Sequence, residues 1–197
     1  MIEQLEKLDQ DLFLTLNPLG HPWLDGVMWY ISQTGTWIPV YLIFAWWIWE
    51  KKGPKVLFTS LGAIAFLILL TDQSSVHLFK EVFMRYRPTH NFDIGDSVLT
   101  VINPAGDEYR GGKFGFVSSH AANIYGIAFF LFLLLKPNWW VWSALLFLWA
   151  TLICYSRIYL GVHYPGDIVV GGLLGMSLAT FVYYIYRAIG RKFNVDV

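Results

Sequence analysis

The sequence is poor in charge and in cysteine. Charged residues make up 14% of its 197 residues and hydrophobic residues 56%, whereas a soluble domain has about 25% charged residues. The formal net charge is zero, so the basic excess typical of a nucleic-acid-binding protein is missing. The one cysteine, Cys154, lies in an apolar run, which excludes an intrachain disulfide and a cysteine-rich metal site. We expect it to be a small buried residue.

Apolar stretches and aromatic residues take the place of charge. Aromatics reach 18%, with 10 Trp, and Trp and Tyr are enriched where helices meet the membrane–water interface. A membrane span needs about 20 mostly apolar residues. Candidate spans lie within residues 26–49, with a bend near Gly35, and at 56–70, 121–135, 139–155 and 168–186. A separate short span at 22–32 would raise the count from five to six. We predict an all-α, polytopic transmembrane helix bundle that forms a single domain over residues 1–197.

The N-terminal segment, residues 1–20, has a different pattern. Apolar residues recur at helical spacing among acidic ones: Ile2, Leu5, Leu8, Leu12 and Leu16. This predicts an amphipathic helix, which lies either in the plane of the membrane interface or packed on the rest of the protein. The acidic residues interrupt the apolar core that a signal peptide requires, so we do not expect cleavage.

Basic residues between the spans indicate the orientation. They cluster at three places that lie on one side in an alternating topology: Lys51, Lys52 and Lys55; Lys136; and Arg187, Arg191 and Lys192. The positive-inside rule predicts that this side is cytoplasmic. The opposite side then carries the loop 89–116 and the turn 157–166. Loops of this length are often lids, and we predict that 89–116 is a mobile flap over a site.

The first segment with chemical potential is Lys80 to Pro88. Lys80 and Arg87 are seven residues apart, so they share one side of a helix, and Pro88 ends that helix near Arg87. Two cations at the membrane surface favour a bound anion, although snorkelling toward lipid headgroups explains them as well. Arg85 points elsewhere on such a helix, and we expect it to snorkel.

The second segment, 115–120, opens the third span. Ser118 is a good N-cap, and the free backbone N–H groups at a helix start favour an anion such as phosphate. His120 follows in the first turn. A serine before a membrane helix is by itself usually only a cap.

The third segment, 156–167, joins the last two spans. Arg157 ends one span, and Pro165 suits the first turn of the next helix. His163 then precedes that helix and Asp167 lies in its first turn. An aspartate bonded to one imidazole nitrogen leaves the other free to attack. Asp167 could instead only balance the helix dipole.

Together the three segments meet the needs of phosphoryl transfer. Cations and backbone N–H groups neutralise the phosphoryl oxygens, one group attacks phosphorus, and another protonates the leaving oxygen. All three segments lie on the predicted non-cytoplasmic side. We therefore expect a single site that combines them.

The motif set resembles the type-2 phosphatidic acid phosphatase family, which includes integral membrane lipid phosphatases. The matching pieces are Lys80, six residues, Arg87-Pro88; then Ser118-x-His120; then Ser156-Arg157, five residues, His163, three residues, Asp167. The resemblance implies that His163 is the nucleophile that forms a phosphohistidine, that Asp167 orients it, and that His120 is the general acid. It further implies phosphate contacts from Lys80, Arg87, Ser118, Arg157 and the backbone of Ser119.

One motif departs from the family. The usual Pro-Ser-Gly-His is replaced by Val117-Ser118-Ser119-His120. The loss of Pro removes rigidity before the helix, and Ser in place of Gly requires an ordinary backbone conformation. Ser119 keeps its N–H donor, so we expect activity to survive.

The sequence thus predicts a lipid phosphatase with no metal and no cofactor. Its expected partners are membrane lipids and a phosphorylated lipid substrate: a polyprenyl diphosphate, favoured slightly, or phosphatidylglycerol phosphate, phosphatidic acid or a lipid A phosphate. We expect a bacterial inner (cytoplasmic) membrane location with the site on the periplasmic or extracellular side. The alternatives are a non-enzymatic protein that binds anionic lipids and a related vanadate-dependent halide oxidation, against which the membrane spans argue.

Overall fold

Helices dominate the computed structural model, which describes residues 2–19, 21–136 and 140–193. The described helices are α1 (Ile2–Leu16), α2 (Pro22–Ser32), α3 (Ile38–Lys52), α4 (Pro54–Phe83), α5 (Ser119–Leu135), α6 (Trp140–Tyr159) and α7 (Pro165–Lys192). Short 3-10 turns lie at Asn17–Leu19, Thr34–Trp37, Pro88–His90 and Gly95–Ser97. The predicted class, an all-α polytopic membrane bundle, is confirmed.

Three of the described helices, α4, α6 and α7, are long and apolar enough to cross a membrane, and α5 is apolar but shorter. The first predicted span is divided between α2 and α3 by the turn Thr34–Trp37, which contains the expected bend at Gly35. Trp139, the predicted start of the fourth span, lies outside the described residues. Cys154 is buried and unpaired with any other cysteine, as expected.

The centre of the bundle is the contact between α5 and α7. A Cβ atom at Gly175 would lie 2.1 Å from the carbonyl oxygen of Ala122, and one at Gly171 would lie 2.6 Å from that of Ser118. Only glycine permits so close an approach of the two backbones. At the N-terminal ends of the two helices, the N–H of Ser118 donates to the carbonyl oxygen of Asp167 at 3.0 Å. The first turns of α5 and α7 are therefore held side by side.

Helix α4 ends earlier than its sequence predicts. It ends at Phe83, and Met84 has a left-handed φ of 45°. The chain then runs extended, and the N–H of Gly115 donates to the carbonyl oxygen of Arg85 at 2.9 Å while that of Arg87 donates to Lys113 at 3.1 Å. The prediction that Arg87 shares a helical face with Lys80 is therefore wrong.

The segment between α4 and α5 covers the end of the bundle. It forms isolated bridges between Tyr86 and Phe114 and between Ile102 and Glu108, and Val101 is buried in it. The hydroxyl of Thr89 donates to the carbonyl oxygen of Arg110 at 2.8 Å. These contacts hold the loop together, and the hydroxyl of Tyr109 accepts a hydrogen bond from Arg157, which brings the loop to the polar residues described below. Its role as a lid stays a prediction.

Helix α1 presents two different sides. Phe13 is fully buried and packs edge-on against Tyr164, with ring centroids 5.5 Å apart. Ile2, Leu5 and Leu8 are exposed. The helix is thus docked on the protein by one side while its apolar side faces outward, a pattern compatible with both sequence-based alternatives.

Candidate active site

His163 and Asp167 form a buried pair at the start of α7. Nδ1 of His163 lies 3.3 Å from Oδ2 of Asp167, and the same oxygen accepts a hydrogen bond from the N–H of Tyr164 at 3.1 Å. The two residues are 2% and 0% exposed. Because Asp167 accepts the proton on Nδ1, we assign the tautomer whose Nε2 lone pair is free to attack an electrophile.

The surroundings keep His163 neutral. Burial lowers its pKa well below the ordinary value of 6.5, and the positive charges of Arg87, Arg157 and Lys80 lower the pKa further. Neutral imidazole is the nucleophilic form of histidine. The cations that would bind an anion therefore also keep the imidazole of His163 unprotonated.

Lys80 reaches the start of α5 from the last turns of α4. Its Nζ donates to the hydroxyl of Ser119 at 2.6 Å, and that hydroxyl lies 2.7 Å from the hydroxyl of Ser75. The hydroxyl of Ser119 thus has hydrogen-bond partners. The glycine that is usual at this position of the family motif has no side chain with which to contact them. The contact links α4 to α5 at the height of the His163–Asp167 pair.

Arg87 lies in the extended segment after α4. Its Nε donates to the carbonyl oxygen of Phe114 at 3.2 Å, and its Nη1 donates to that of Val162 at 3.3 Å. Burial and the nearby charge of Arg157 lower the pKa of Arg87 to about 10, so it stays positively charged at neutral pH.

Arg157, at the end of α6, is 5% exposed. Its Nη1 donates to the hydroxyl of Ser32, and its Nη2 donates to the hydroxyl of Tyr109 at 3.0 Å. Its Nε has no hydrogen-bond partner among the described residues. A buried guanidinium N–H without a partner is costly, and an anionic ligand would satisfy it.

The start of α5 supplies backbone donors. Ser118 is the N-cap, as predicted, and its hydroxyl oxygen accepts from the N–H of Ala121 at 3.3 Å. The N–H groups of Ser119 and His120 open the helix, at positions where intrahelical partners do not exist. Such N–H groups and the helix dipole favour an anion at this point.

His120 lies between the cations and an apolar cavity. Its Nε2 is 3.3 Å from the carbonyl oxygen of Ser32. It also lines a cavity of about 400 Å³ between α3, α4 and α5, whose other lining side chains are mainly apolar and include Phe44, Ile64 and Ile127. A ligand that touched His120 could therefore place a hydrocarbon chain in the bundle.

In the described part of the chain, the cations of this cluster make their direct contacts with neutral groups. Within residues 2–19, 21–136 and 140–193, neither Lys80 nor Arg87 nor Arg157 forms an ion pair with a carboxylate. Their partners are hydroxyls and backbone carbonyls instead. We call Lys80, Arg87 and Arg157 the cationic cluster.

Arg85 was misjudged from the sequence. It does not snorkel: its Nη1 donates to Oδ1 of Asp167 at 2.7 Å. In a helix, residues 85 and 87 would point to opposite sides, but in an extended chain they share a side. Because α4 ends at Phe83, both arginines point toward the His163–Asp167 pair. The available signal was the concentration of charge in this segment, in a chain where charged residues are otherwise rare.

The sequence also gave no indication of Tyr109, Ser32 and Gly115. Tyr109 and Ser32 hold the guanidinium of Arg157. A Cβ atom at Gly115 would lie 3.0 Å from Oδ2 of Asp167 and 3.6 Å from Nδ1 of His163. The loop backbone thus lies against the pair, where a side chain would crowd it.

The fold and the site together define a class of protein: a polytopic helical membrane protein in which a buried His–Asp pair lies beside a cationic cluster. Comparison with known proteins agrees with this class. The profile of the PAP2 superfamily matches residues 56–191. The chain belongs to the PAP2 superfamily.

Individual relatives refine the comparison. A lipid A 4'-phosphatase from Porphyromonas gingivalis is 37% identical over 187 residues, covering 94% of this chain and 75% of the relative. An undecaprenyl-diphosphatase from Sulfolobus acidocaldarius is 31% identical over 180 residues, covering 88% and 76%. A transmembrane PAP2 type phosphatidylglycerolphosphate phosphatase from Bacillus subtilis has a similar fold, with a TM-score of 0.62 at 20% identity, covering 96% of this chain and 87% of that one.

Proposed function

We propose that this lipid phosphatase removes the 4'-phosphate group of a lipid A-type glycolipid at the membrane surface, through a phosphohistidine and without a metal ion. The observation that carries the proposal is the cationic cluster beside a neutral, buried His163. Three cations without carboxylate partners suit the charge of a phosphoryl group.

In the first step, Nε2 of His163 attacks phosphorus while the bond from phosphorus to the lipid oxygen breaks. Asp167 stabilises the positive charge that develops on the imidazole. His120 gives a proton to the leaving oxygen. The cationic cluster, Ser118 and the N–H of Ser119 hold the phosphoryl oxygens. The products of this step are the lipid alcohol and a phosphohistidine.

In the second step, water attacks phosphorus and the bond to His163 breaks. His120, now neutral, accepts a proton from that water, so it returns to its starting state as inorganic phosphate forms.

The proposal of a metal-independent reaction is supported by the contacts of Asp167, whose carboxylate is bound by His163 and Arg85. No group of three or more His, Cys, Asp or Glu side chains that could hold a metal ion occurs among the described residues.

The choice of a lipid substrate is supported by the cavity beside His120. Because His120 faces the leaving group, the leaving lipid lies on the same side as the apolar cavity of about 400 Å³. The lipid A assignment follows the relative with 37% identity. It replaces the slight sequence-based preference for a polyprenyl diphosphate, which remains the second candidate because another relative acts on undecaprenyl diphosphate.

The test is phosphate release by the purified full chain in detergent, with EDTA present. The panel contains bis-phosphorylated lipid A, undecaprenyl diphosphate, phosphatidylglycerol phosphate and phosphatidic acid. We expect the highest kcat/KM for lipid A, with mass spectrometry showing loss of the 4'-phosphate. Preference for another lipid would overturn the lipid A assignment. Release from none of them would favour a non-enzymatic protein that binds anionic lipids. Such a protein would not require the His163–Asp167 pair or His120.

We also propose that the site faces the periplasmic or extracellular side of a bacterial inner membrane. The support is the set of basic residues at the opposite end, such as Lys52 at the end of α3 and Arg191 at the end of α7. Cysteines placed at Asp96 and at Lys52 test this orientation in intact cells, because the native Cys154 is only 1% exposed. An impermeant thiol reagent should label the Asp96→Cys variant and not the Lys52→Cys variant. The reverse labelling would contradict the orientation.

A further inference from the structure

Behind His163, a single arginine lies among three carboxylates from distant parts of the chain. Nη1 of Arg85 is 2.7 Å from Oδ1 of Asp167, and its Nη2 is 2.8 Å from Oδ2 of Asp9. Its Nε and Nη2 are 3.2 and 3.1 Å from Oε1 of Glu6. The guanidinium carbon lies 4.0 Å from the ring centroid of Tyr164. Every edge of the guanidinium is thus in contact.

These ion pairs differ from ordinary surface pairs in their burial. The side chains of Arg85 and Asp9 are each 15% exposed, and that of Asp167 is fully buried. Burial opposes the charge of Arg85, but Asp167, Asp9 and Glu6 outweigh it and raise its pKa. Removal of one partner from a buried pair leaves an uncompensated charge, so Asp167 depends on Arg85 to stay ionised and in place.

Asp9 contacts the turn that carries the His163–Asp167 pair as well. Its Oδ1 accepts a hydrogen bond from the N–H of Gly166 at 2.7 Å. A Cβ atom at Gly166 would lie 2.6 Å from Oδ2 of Asp9, so the turn has room for Asp9 only because residue 166 is glycine. Helix α1 therefore holds both sides of Asp167: the arginine that binds its carboxylate and the backbone that precedes it.

We propose that Arg85 is a positioning residue that, held by Asp9 of α1, keeps the Asp167 carboxylate against His163. Docking of the N-terminal amphipathic helix thereby becomes a condition for an active nucleophile. The inference rests on the proposed role of His163. Arg85 acts through Asp167, in contrast to the cationic cluster, which acts on the phosphate.

A double-mutant cycle tests this coupling with any phosphorylated lipid that the wild type hydrolyses. Arg85→Gln should lower kcat by roughly 10–100-fold, as is typical for a group that orients a catalytic residue, with KM little changed. In an Asp167→Asn background the same substitution should have little further effect. Arg85→Lys should restore part of the rate. Effects that multiply across the cycle, or a raised KM at unchanged kcat, would overturn the proposal.

The contribution of α1 has its own matched pair of variants, which keep Arg85. Asp9→Asn should lower kcat, because it weakens the anchor of Arg85 and the contact to Gly166. Asp11→Asn changes an exposed acid on the same helix and should leave kcat at the wild-type value. Equal rates in the two variants would remove α1 from the mechanism.

A readout that does not need turnover separates this inference from the proposed function. In protein labelled with ¹⁵N-histidine, the ¹⁵N shifts of His163, assigned with His163→Gln, report its tautomer. We expect the Nδ1-protonated form in wild type and in Asp11→Asn, and a mixed population in Arg85→Gln. Unchanged shifts in Arg85→Gln would overturn the positioning role, whereas absence of phosphate release by wild type would overturn only the proposed function.

Discussion

The two sides of His163 use arginine in opposite ways. On one side Arg87 and Arg157 contact hydroxyls and backbone carbonyls, and with Lys80 they carry positive charge that no described carboxylate balances. On the other side Arg85 lies among three carboxylates. Arg85 and Arg87 are two residues apart in the chain, so residue type and position alone do not assign a role. The role is assigned by the contacts of each side chain. A cation without a carboxylate partner can bind a phosphate, whereas a cation that is paired with carboxylates holds those carboxylates in place.

The largest expected effect comes from the residue between the two sides. His163→Gln removes the proposed nucleophile and should reduce phosphate release by at least about 10³-fold, as loss of a covalent catalyst does in other hydrolases. His77→Gln is the control, because His77 is exposed and pairs with Glu81. A rate in His163→Gln within tenfold of wild type would contradict a phosphohistidine, and ³²P-phosphate trapped on the wild type alone would support one.

A smaller effect is expected when the cationic side is weakened. Arg157→Gln should reduce kcat/KM by on the order of 10²-fold, because a buried donor to the phosphoryl oxygens is lost. Arg110→Gln is the matched control: Arg110 is exposed and pairs with Glu108. Steady-state kinetics of both variants decide the matter. If the two substitutions reduce kcat/KM equally, Arg157 is not a phosphate ligand and the contrast between the two sides of His163 is wrong.

The smallest effect is a shift in pH dependence. Because burial and positive neighbours hold the pKa of His163 well below 6.5, kcat/KM should remain level as the pH falls through 6.5 and decline only at lower pH. Arg87→Gln removes one positive neighbour, so the pKa of His163 rises and the acid limb of the profile moves to higher pH. Profiles of kcat/KM against pH measure the shift. An acid limb at the same pH in both proteins would show that the cationic side does not act on His163.

The sequence predicted much of the site because its chemistry is local. His163 and Asp167 are four residues apart, so a helix start at Pro165 is sufficient to bring them together. Ser118 and His120 are placed by the same kind of argument at the start of α5. Arg85 was beyond such reasoning, because its direction depends on where α4 ends, and Asp9 was beyond it because its partners are far along the chain.

The sequence by itself determined that this is a helical membrane protein with three motif segments at one surface. Apolar runs, helix caps and the spacing of charges act over a few residues, so they can be recognised without knowledge of the fold. The tertiary structure decided how those segments meet. The close approach of α5 and α7 aligns their first turns, and the pairing of Arg85 with Asp167 joins residues 82 positions apart. The contact of Asp9 with Gly166 spans 157 positions. Contacts of that separation depend on the packing of whole helices, which no local pattern encodes.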